Sequence, residues 1–98
     1  MIKIIWTEPA ISDLEKIRSY IAQDSEVYAA ALILELFQSV DQLEHFPQSG
    51  RIVPELNQED TREVIVGNYR VIYDFIDLKI RILGILHGAQ NFQISRLR

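Results

Sequence analysis

The sequence contains no cysteine and no long hydrophobic run, and these two absences exclude several classes of protein. Without cysteine there is no disulfide scaffold, no thiolate zinc site and no thiol nucleophile. The N-terminal apolar run, residues 2–6, is shorter than the apolar core of about 7–15 residues that a secretory signal needs. No segment approaches the roughly 18 apolar residues of a membrane span. We therefore expect a soluble, cytoplasmic protein that does not associate with membranes.

Recognised catalytic and metal-binding motifs are also missing. The sequence has no glycine-rich phosphate-binding loop, no metalloprotease motif and no nucleophile elbow. The two histidines, His45 and His87, are too far apart in sequence to match a metal-ligand spacing. The sequence therefore predicts neither a metal ion nor a cofactor.

The length and composition are those of one small globular domain, which we expect to span residues 1–98. The chain has 98 residues, of which 48% are hydrophobic, enough for a packed core. Its formal net charge is −4, and residues 1–49 contain eight of the fourteen acids but only three of the ten cations. Non-specific nucleic-acid binding depends on lysine and arginine, so this charge disfavours it.

The first half of the sequence predicts one strand and two helices. Residues 2–6 are apolar and largely β-branched, which favours a buried strand. Thr7 can cap a helix, and Pro9 fits its first turn. Apolar residues then recur every three or four positions, as in an amphipathic helix. Asp24-Ser25 breaks this pattern and can cap a second helix over residues 26–44.

The second predicted helix is apolar around much of its circumference, which leaves two interpretations open. In the first, the helix is packed on two sides within a small core. In the second, one edge is exposed and is covered by a partner protein. The residues that follow one line along this helix are Val27, Ala30, Leu34, Phe37 and Asp41, and the polar Asp41 ends the apolar stripe.

The second half predicts a loop over residues 50–61 and then a β-meander. Gly67 and Asn68 form a typical two-residue hairpin turn, and Gly84 indicates a bulge or a close approach in the last strand. The predicted strands are residues 62–66, 69–76 and 80–86. The order β-α-α-β-β-β predicts an α+β fold, in which a helical hairpin packs on a four-stranded, mostly antiparallel sheet.

Arginines, tyrosines and a histidine meet in the predicted meander, and they allow two interpretations. A surface containing Arg70, Tyr73 and His87 could bind RNA and cleave it by general acid–base chemistry. In the structural alternative, the arginines form ordinary cross-strand ion pairs. The residues concerned in that case are Arg62, Arg70, Glu63 and Asp74.

An ordered set of short motifs extends over nearly the whole chain. It comprises W-T-E-P-A at residues 6–10, F-P and G-R between residues 46 and 51, P-E-L at 54–56, R-E-V at 62–64, Y-R-V-I-Y at 69–73 and L-H-G at 86–88. In this set the sequence resembles the ParE/RelE superfamily of toxins from type II toxin–antitoxin modules, and ParE-like members most closely. The resemblance implies the same β-α-α-β-β-β fold.

The resemblance also implies a toxin that arrests growth and is neutralised by a cognate, ParD-like antitoxin. ParE-like members inhibit DNA gyrase, whereas RelE-like members cleave mRNA on the ribosome with basic residues near the C-terminus. Here Gln90 stands where a RelE-like nuclease would have arginine, and the loop at residues 52–60 is acidic. These departures favour gyrase inhibition without catalytic residues. The alternatives are an mRNA endonuclease that uses Arg70, Tyr73 and His87, or a relative that has lost toxicity.

The antitoxin is expected to dock as a helix, with or without a strand, against the second helix and an edge of the sheet. The wide apolar circumference of the second helix motivates this expectation. The candidate antitoxin-binding residues are Val27, Ala31, Leu34, Phe37, Arg62 and Arg70.

Overall fold

The computed structural model describes residues 2–88, which form two helices and a five-stranded sheet. The predicted tail, with the position of Gln90, lies outside the described residues. The elements are β1 Lys3–Trp6, α1 Glu8–Ala22, α2 Glu26–Asp41, β2 Arg51–Ile52, β3 Thr61–Val66, β4 Tyr69–Ile76 and β5 Lys79–His87. A short 3-10 turn, Gln42–Glu44, continues α2. The α+β class expected from the sequence is confirmed.

Both helices begin at the hydroxyl caps that the sequence predicted. The Thr7 hydroxyl accepts a hydrogen bond from the Ala10 amide and donates one of 2.6 Å to the Ile82 carbonyl in β5. The Ser25 hydroxyl accepts from the Tyr28 amide at 3.1 Å. Because Thr7 bonds to both α1 and β5, it fixes the start of the first helix over the sheet.

The sheet has one more strand than the sequence predicted. Its order is β1-β5-β4-β3-β2, with β1 parallel to β5 and every other pair antiparallel. The additional strand, β2, pairs Arg51 with Glu63 and Ile52 with Arg62, inside the segment expected to be a loop. The prediction of four strands was wrong because it missed this short edge strand. Two residues are too few to show an alternating pattern in the sequence.

A β-bulge in β5 changes which side chains face the helices. Ile72 pairs with Gly84 and Tyr73 pairs with Ile82, so Leu83 has no residue opposite it. After such an insertion the side-chain alternation reverses. Ile82 and Ile85 therefore both join the core beneath the helices. The Asp13 carboxylate of α1 accepts a 2.9 Å hydrogen bond from the Ile85 amide just after the bulge.

The sheet has apolar residues on both faces. The larger cluster lies between the sheet and the helices, and a smaller one lies on the opposite, outer face. The outer cluster consists of Val53, Ile72, Leu83 and Leu86, with Leu56 packed against it. The buried residues of helix α2 are Ala29, Leu32, Leu36 and Val40, and the last three belong to the larger cluster. Ile33 is partly buried against the same cluster, whereas Val27, Leu34 and Phe37 are exposed. One edge of α2 is therefore exposed, and its coverage by a partner stays a prediction.

Candidate functional site

The outer face of the sheet contains a buried arginine held by two carboxylates. Arg70 of β4 donates from Nε and Nη2 to Glu63 Oε1 in β3, at 2.8 and 2.6 Å. Its Nη1 and Nη2 also donate to the two oxygens of Glu55, at 2.9 and 2.8 Å. The Arg70 side chain is 7% exposed and that of Glu63 is 0% exposed. We call Arg70, Glu63 and Glu55 the outer-face cluster.

The electrostatics of the outer-face cluster favour a permanently charged, fully engaged guanidinium. The hydrogen bonds that Arg70 donates to Glu55, and then those to Glu63, raise the pKa of Arg70, although burial acts in the opposite direction. The second oxygen of Glu63 accepts from Arg51 Nε, so both oxygens of this buried carboxylate are satisfied. The sequence-based pairing of Arg70 with Glu63 is confirmed, whereas the part played by Glu55 was not foreseen.

Arg62 was expected to pair with an acid or to face Arg70, and this prediction was wrong. Its Nε donates to the Glu59 carbonyl at 3.1 Å, and its Nη1 donates to the Gly50 carbonyl at 3.0 Å. In the sheet register Arg62 stands opposite Tyr73. Because side chains alternate along a strand, Arg62 lies on the opposite face from Glu63 and its carboxylate.

The remaining arginines of residues 2–88 are also engaged. Arg81 donates from Nε to Asp74 Oδ1 at 3.1 Å and from Nη2 to Asp74 Oδ2, and these bonds raise the pKa of Arg81. Arg18 lies 3.9 Å from Glu26 in an exposed pair. Four of the five arginines between residues 2 and 88 thus donate hydrogen bonds within the protein, and the fifth makes a long, exposed ion pair.

The three residues considered for RNA cleavage do not share one face of the sheet. The side chain of Tyr73 points into the core beneath the helices, opposite to Arg70. Its hydroxyl donates to the Pro47 carbonyl at 2.8 Å and accepts from the Gly50 amide at 3.0 Å, and burial raises its pKa. The His87 ring packs edge-on against Tyr69, with 5.6 Å between centroids. The structure thus separates Arg70 from Tyr73.

Four of the six residues considered for antitoxin binding lie along one exposed line of α2. Exposure is 82% for Val27, 58% for Leu34 and 40% for Phe37, and Ala31 is exposed as well. The Phe37 ring packs edge-on against Trp6 of β1, at 5.3 Å between centroids. We call Val27, Ala31, Leu34 and Phe37 the α2 stripe. The other two candidates, Arg62 and Arg70, lie on the sheet and make the internal hydrogen bonds described above.

Other kinds of site are not found in the described part of the chain. Between residues 2 and 88 no group of three or more histidine, aspartate or glutamate side chains is placed to hold a metal ion. No helix within that range is long and apolar enough to cross a membrane. The exposed α2 stripe and the outer-face cluster are therefore the two features that a function must explain.

Comparisons with known proteins give a consistent result. Residues 4–92 match the family described as the ParE toxin of the type II toxin–antitoxin system parDE. Toxin RelE2 of Caulobacter vibrioides is 33% identical over 90 residues, which cover 92% of this chain and 99% of that protein. Two solved structures share the fold. The chromosomal ParDE system of P. aeruginosa matches with a TM-score of 0.73 and 20% identity, over 89% of this chain and 96% of that one. The RelBE2 complex of Mycobacterium tuberculosis matches with a TM-score of 0.57 and 22% identity, over 88% and 96%.

Proposed function

The chain belongs to the ParE toxin family of type II toxin–antitoxin systems, and from this premise we propose that it arrests growth by inhibiting DNA gyrase. The observation that supports a protein target most directly is that the arginines in the described part of this chain already contact acceptors within the chain itself. Four of the five arginines between residues 2 and 88 donate hydrogen bonds to acceptors within the protein, and the fifth, Arg18, lies 3.9 Å from Glu26. A surface that binds and cleaves RNA needs cations that are available to phosphate groups. Inhibition of gyrase would take place in the bacterial cytoplasm.

The position of Arg70 also supports this choice. An arginine that stabilises a phosphate in a transition state must present its donors to the substrate. Here Nε and both Nη atoms of Arg70 donate to Glu55 and Glu63, and the side chain is nearly inaccessible to solvent. Exchanging these carboxylates for an RNA phosphate would leave the buried Glu63 with Arg51 as its remaining cationic partner, which is costly. We propose that Arg70 has a structural role.

Its partner is a cognate antitoxin, as for other members of the family. We propose that the antitoxin covers the α2 stripe. Three large apolar side chains at helical spacing are exposed there, and an amphipathic helix recognises such anchors in a groove or along a face. Arg62 and Arg70 are not proposed as contacts because their donors are already used internally.

A supercoiling assay with purified DNA gyrase tests the proposed target. We expect the isolated chain to inhibit negative supercoiling of relaxed plasmid in proportion to its concentration, and we expect premixing with antitoxin to restore activity. The matched control is a chain with Leu34→Ser, which keeps the fold because the side chain is exposed. It should still inhibit gyrase but resist rescue. Unaltered supercoiling at a large excess of toxin would rule out gyrase as the target.

A second candidate function is ribosome-dependent cleavage of mRNA, and the similarity to a relative named RelE2 favours it. Primer extension on cellular mRNA after induction detects such cleavage. If primer extension detects cleaved transcripts while the supercoiling activity of gyrase is unchanged, this alternative is established. If the chain neither arrests growth nor affects either target, it is a relative that has retained the fold and lost toxicity.

A further inference from the structure

The segment that contains α2 has an unusual distribution of charge. Between Arg18 and Arg51 there is no lysine or arginine, and the single histidine, His45, lies near the end of this stretch. The same stretch contains five acids. They are Asp24, Glu26, Glu35, Asp41 and Glu44. The helix that presents the α2 stripe therefore offers a partner negative charge only.

The acids of α2 surround the α2 stripe. With 3.6 residues per turn, Glu35 lies on one flank of the line through Leu34, and Glu26 lies on the other flank. Asp41 extends that line at the end of the helix, one turn beyond Phe37. Glu26 lies 3.9 Å from Arg18, but no cation of residues 2–88 pairs with Glu35 or Asp41. The apolar line is thus enclosed by largely uncompensated carboxylates.

Two of these acids also occupy an unfavourable position on the helix. Asp41 ends α2 and Glu44 ends the 3-10 turn that follows it, where unsatisfied carbonyl groups concentrate negative potential. Helices are normally stabilised there by cations, yet the last turn of α2 contains no basic residue. A positive side chain supplied from outside would interact favourably with both carboxylates and with the helix terminus at once.

We infer that the antitoxin segment that covers the α2 stripe is a basic amphipathic helix, with lysine or arginine on both sides of its apolar face. The inference rests on the proposed docking of the antitoxin at this stripe and adds the charge of the partner. Apolar anchors provide the contact area, while the carboxylates on the rim accelerate encounter with a basic helix and repel an acidic one. An additional cation near the end of this helix would lie close to Asp41 and Glu44.

The test measures antitoxin association with the intact chain, using the antitoxin encoded beside this chain, co-produced with it and then separated. Association rates are compared at about 50 mM and about 500 mM NaCl, where screening lengths differ severalfold. The charge variant is Glu35→Gln/Asp41→Asn, and the apolar variant is Leu34→Ser. The matched control, Glu59→Gln/Asp77→Asn, removes the same charge from exposed loops at the sheet.

At low salt, a basic antitoxin helix should associate with the charge variant about tenfold more slowly than with the unmodified chain. At high salt, the two association rates should be nearly equal. The control should behave like the unmodified chain at both concentrations. If the charge variant associates as fast or faster while Leu34→Ser weakens binding at both concentrations, the antitoxin docks on the α2 stripe but is not basic. If neither variant changes binding, the docking site itself is wrong.

Discussion

Replacing Arg70 with methionine tests whether this arginine serves the fold or a catalytic reaction. The variant Arg70→Met keeps the unbranched apolar part of the side chain and removes every donor to Glu55 and Glu63. Glu63 is then left with Arg51 as its remaining cationic partner. Removing one member of a buried ion pair typically costs about 3–5 kcal/mol.

That cost is large beside the stability of a small domain, which is about 5–15 kcal/mol. For a chain of this size each kcal/mol lowers the melting temperature by about 4–8 °C. Thermal unfolding followed by circular dichroism should therefore show that the melting temperature decreases by more than about 10 °C. A companion variant, Arg70→Met/Glu63→Leu, removes both buried charges and should recover much of the loss, because the fully buried Glu63 carboxylate no longer has to be accommodated without Arg70.

Toxicity gives an independent check on the Arg70→Met variant. If Arg70→Met melts like the unmodified chain but abolishes toxicity, the structural role is refuted.

Further predictions concern Tyr73, Gly50 and the α2 stripe. Tyr73→Phe should lower the free energy of unfolding by about 1–3 kcal/mol in urea titrations, because the Gly50 amide and the Pro47 carbonyl lose their partner. An ultraviolet titration of tyrosine should show that Tyr73 ionises at a higher pH than an exposed tyrosine, because burial raises its pKa. The free energy of unfolding should fall above about pH 10, where the unfolded chain releases this proton while the folded chain still holds it. Gly50→Ala should also be destabilising, by about 1–3 kcal/mol in the same urea assay. A Cβ there would lie 2.7 Å from both the Glu63 carbonyl and the Tyr73 hydroxyl. Val27→Ser should leave the midpoint of unfolding within about 0.5 kcal/mol of the unmodified chain and weaken antitoxin binding, as measured by calorimetry.

The regular elements could be predicted from the sequence because their apolar residues repeat with a fixed period over enough positions to be recognised. The strand over residues 69–76 alternates for eight positions and has the predicted limits. The pairing of Arg70 with Glu63 followed from their places on adjacent strands. In contrast, Glu55 lies in an irregular loop fifteen residues before Arg70, and no periodic pattern relates such positions. The contact becomes evident only when Val53 and Leu56 anchor that loop to the outer face.

Helix α2 shows why the docking surface could not be assigned from the sequence alone. Both of its stripes are apolar, so their composition does not decide which one is buried. Leu32, Leu36 and Val40 lie beneath the helix, while Leu34 is exposed between them in sequence. The choice is made by the sheet and by the position of α1, both of which depend on residues far away in the chain. The same holds for Tyr73, whose bonds to Pro47 and Gly50 connect segments more than twenty residues apart.

The parallel pairing of β1 with β5 has a consequence for how the protein is made. Strand β1 leaves the ribosome before β5 and has to wait for Lys79–His87 before it gains its partner, and β5 is also the strand that Thr7 and Asp13 bind. Contacts between distant parts of a chain slow folding, since the long intervening loop must close first. Helix α1 therefore lacks the strand on which it packs until β5 has been synthesised. The complete fold forms only after the surface of α2 has already emerged.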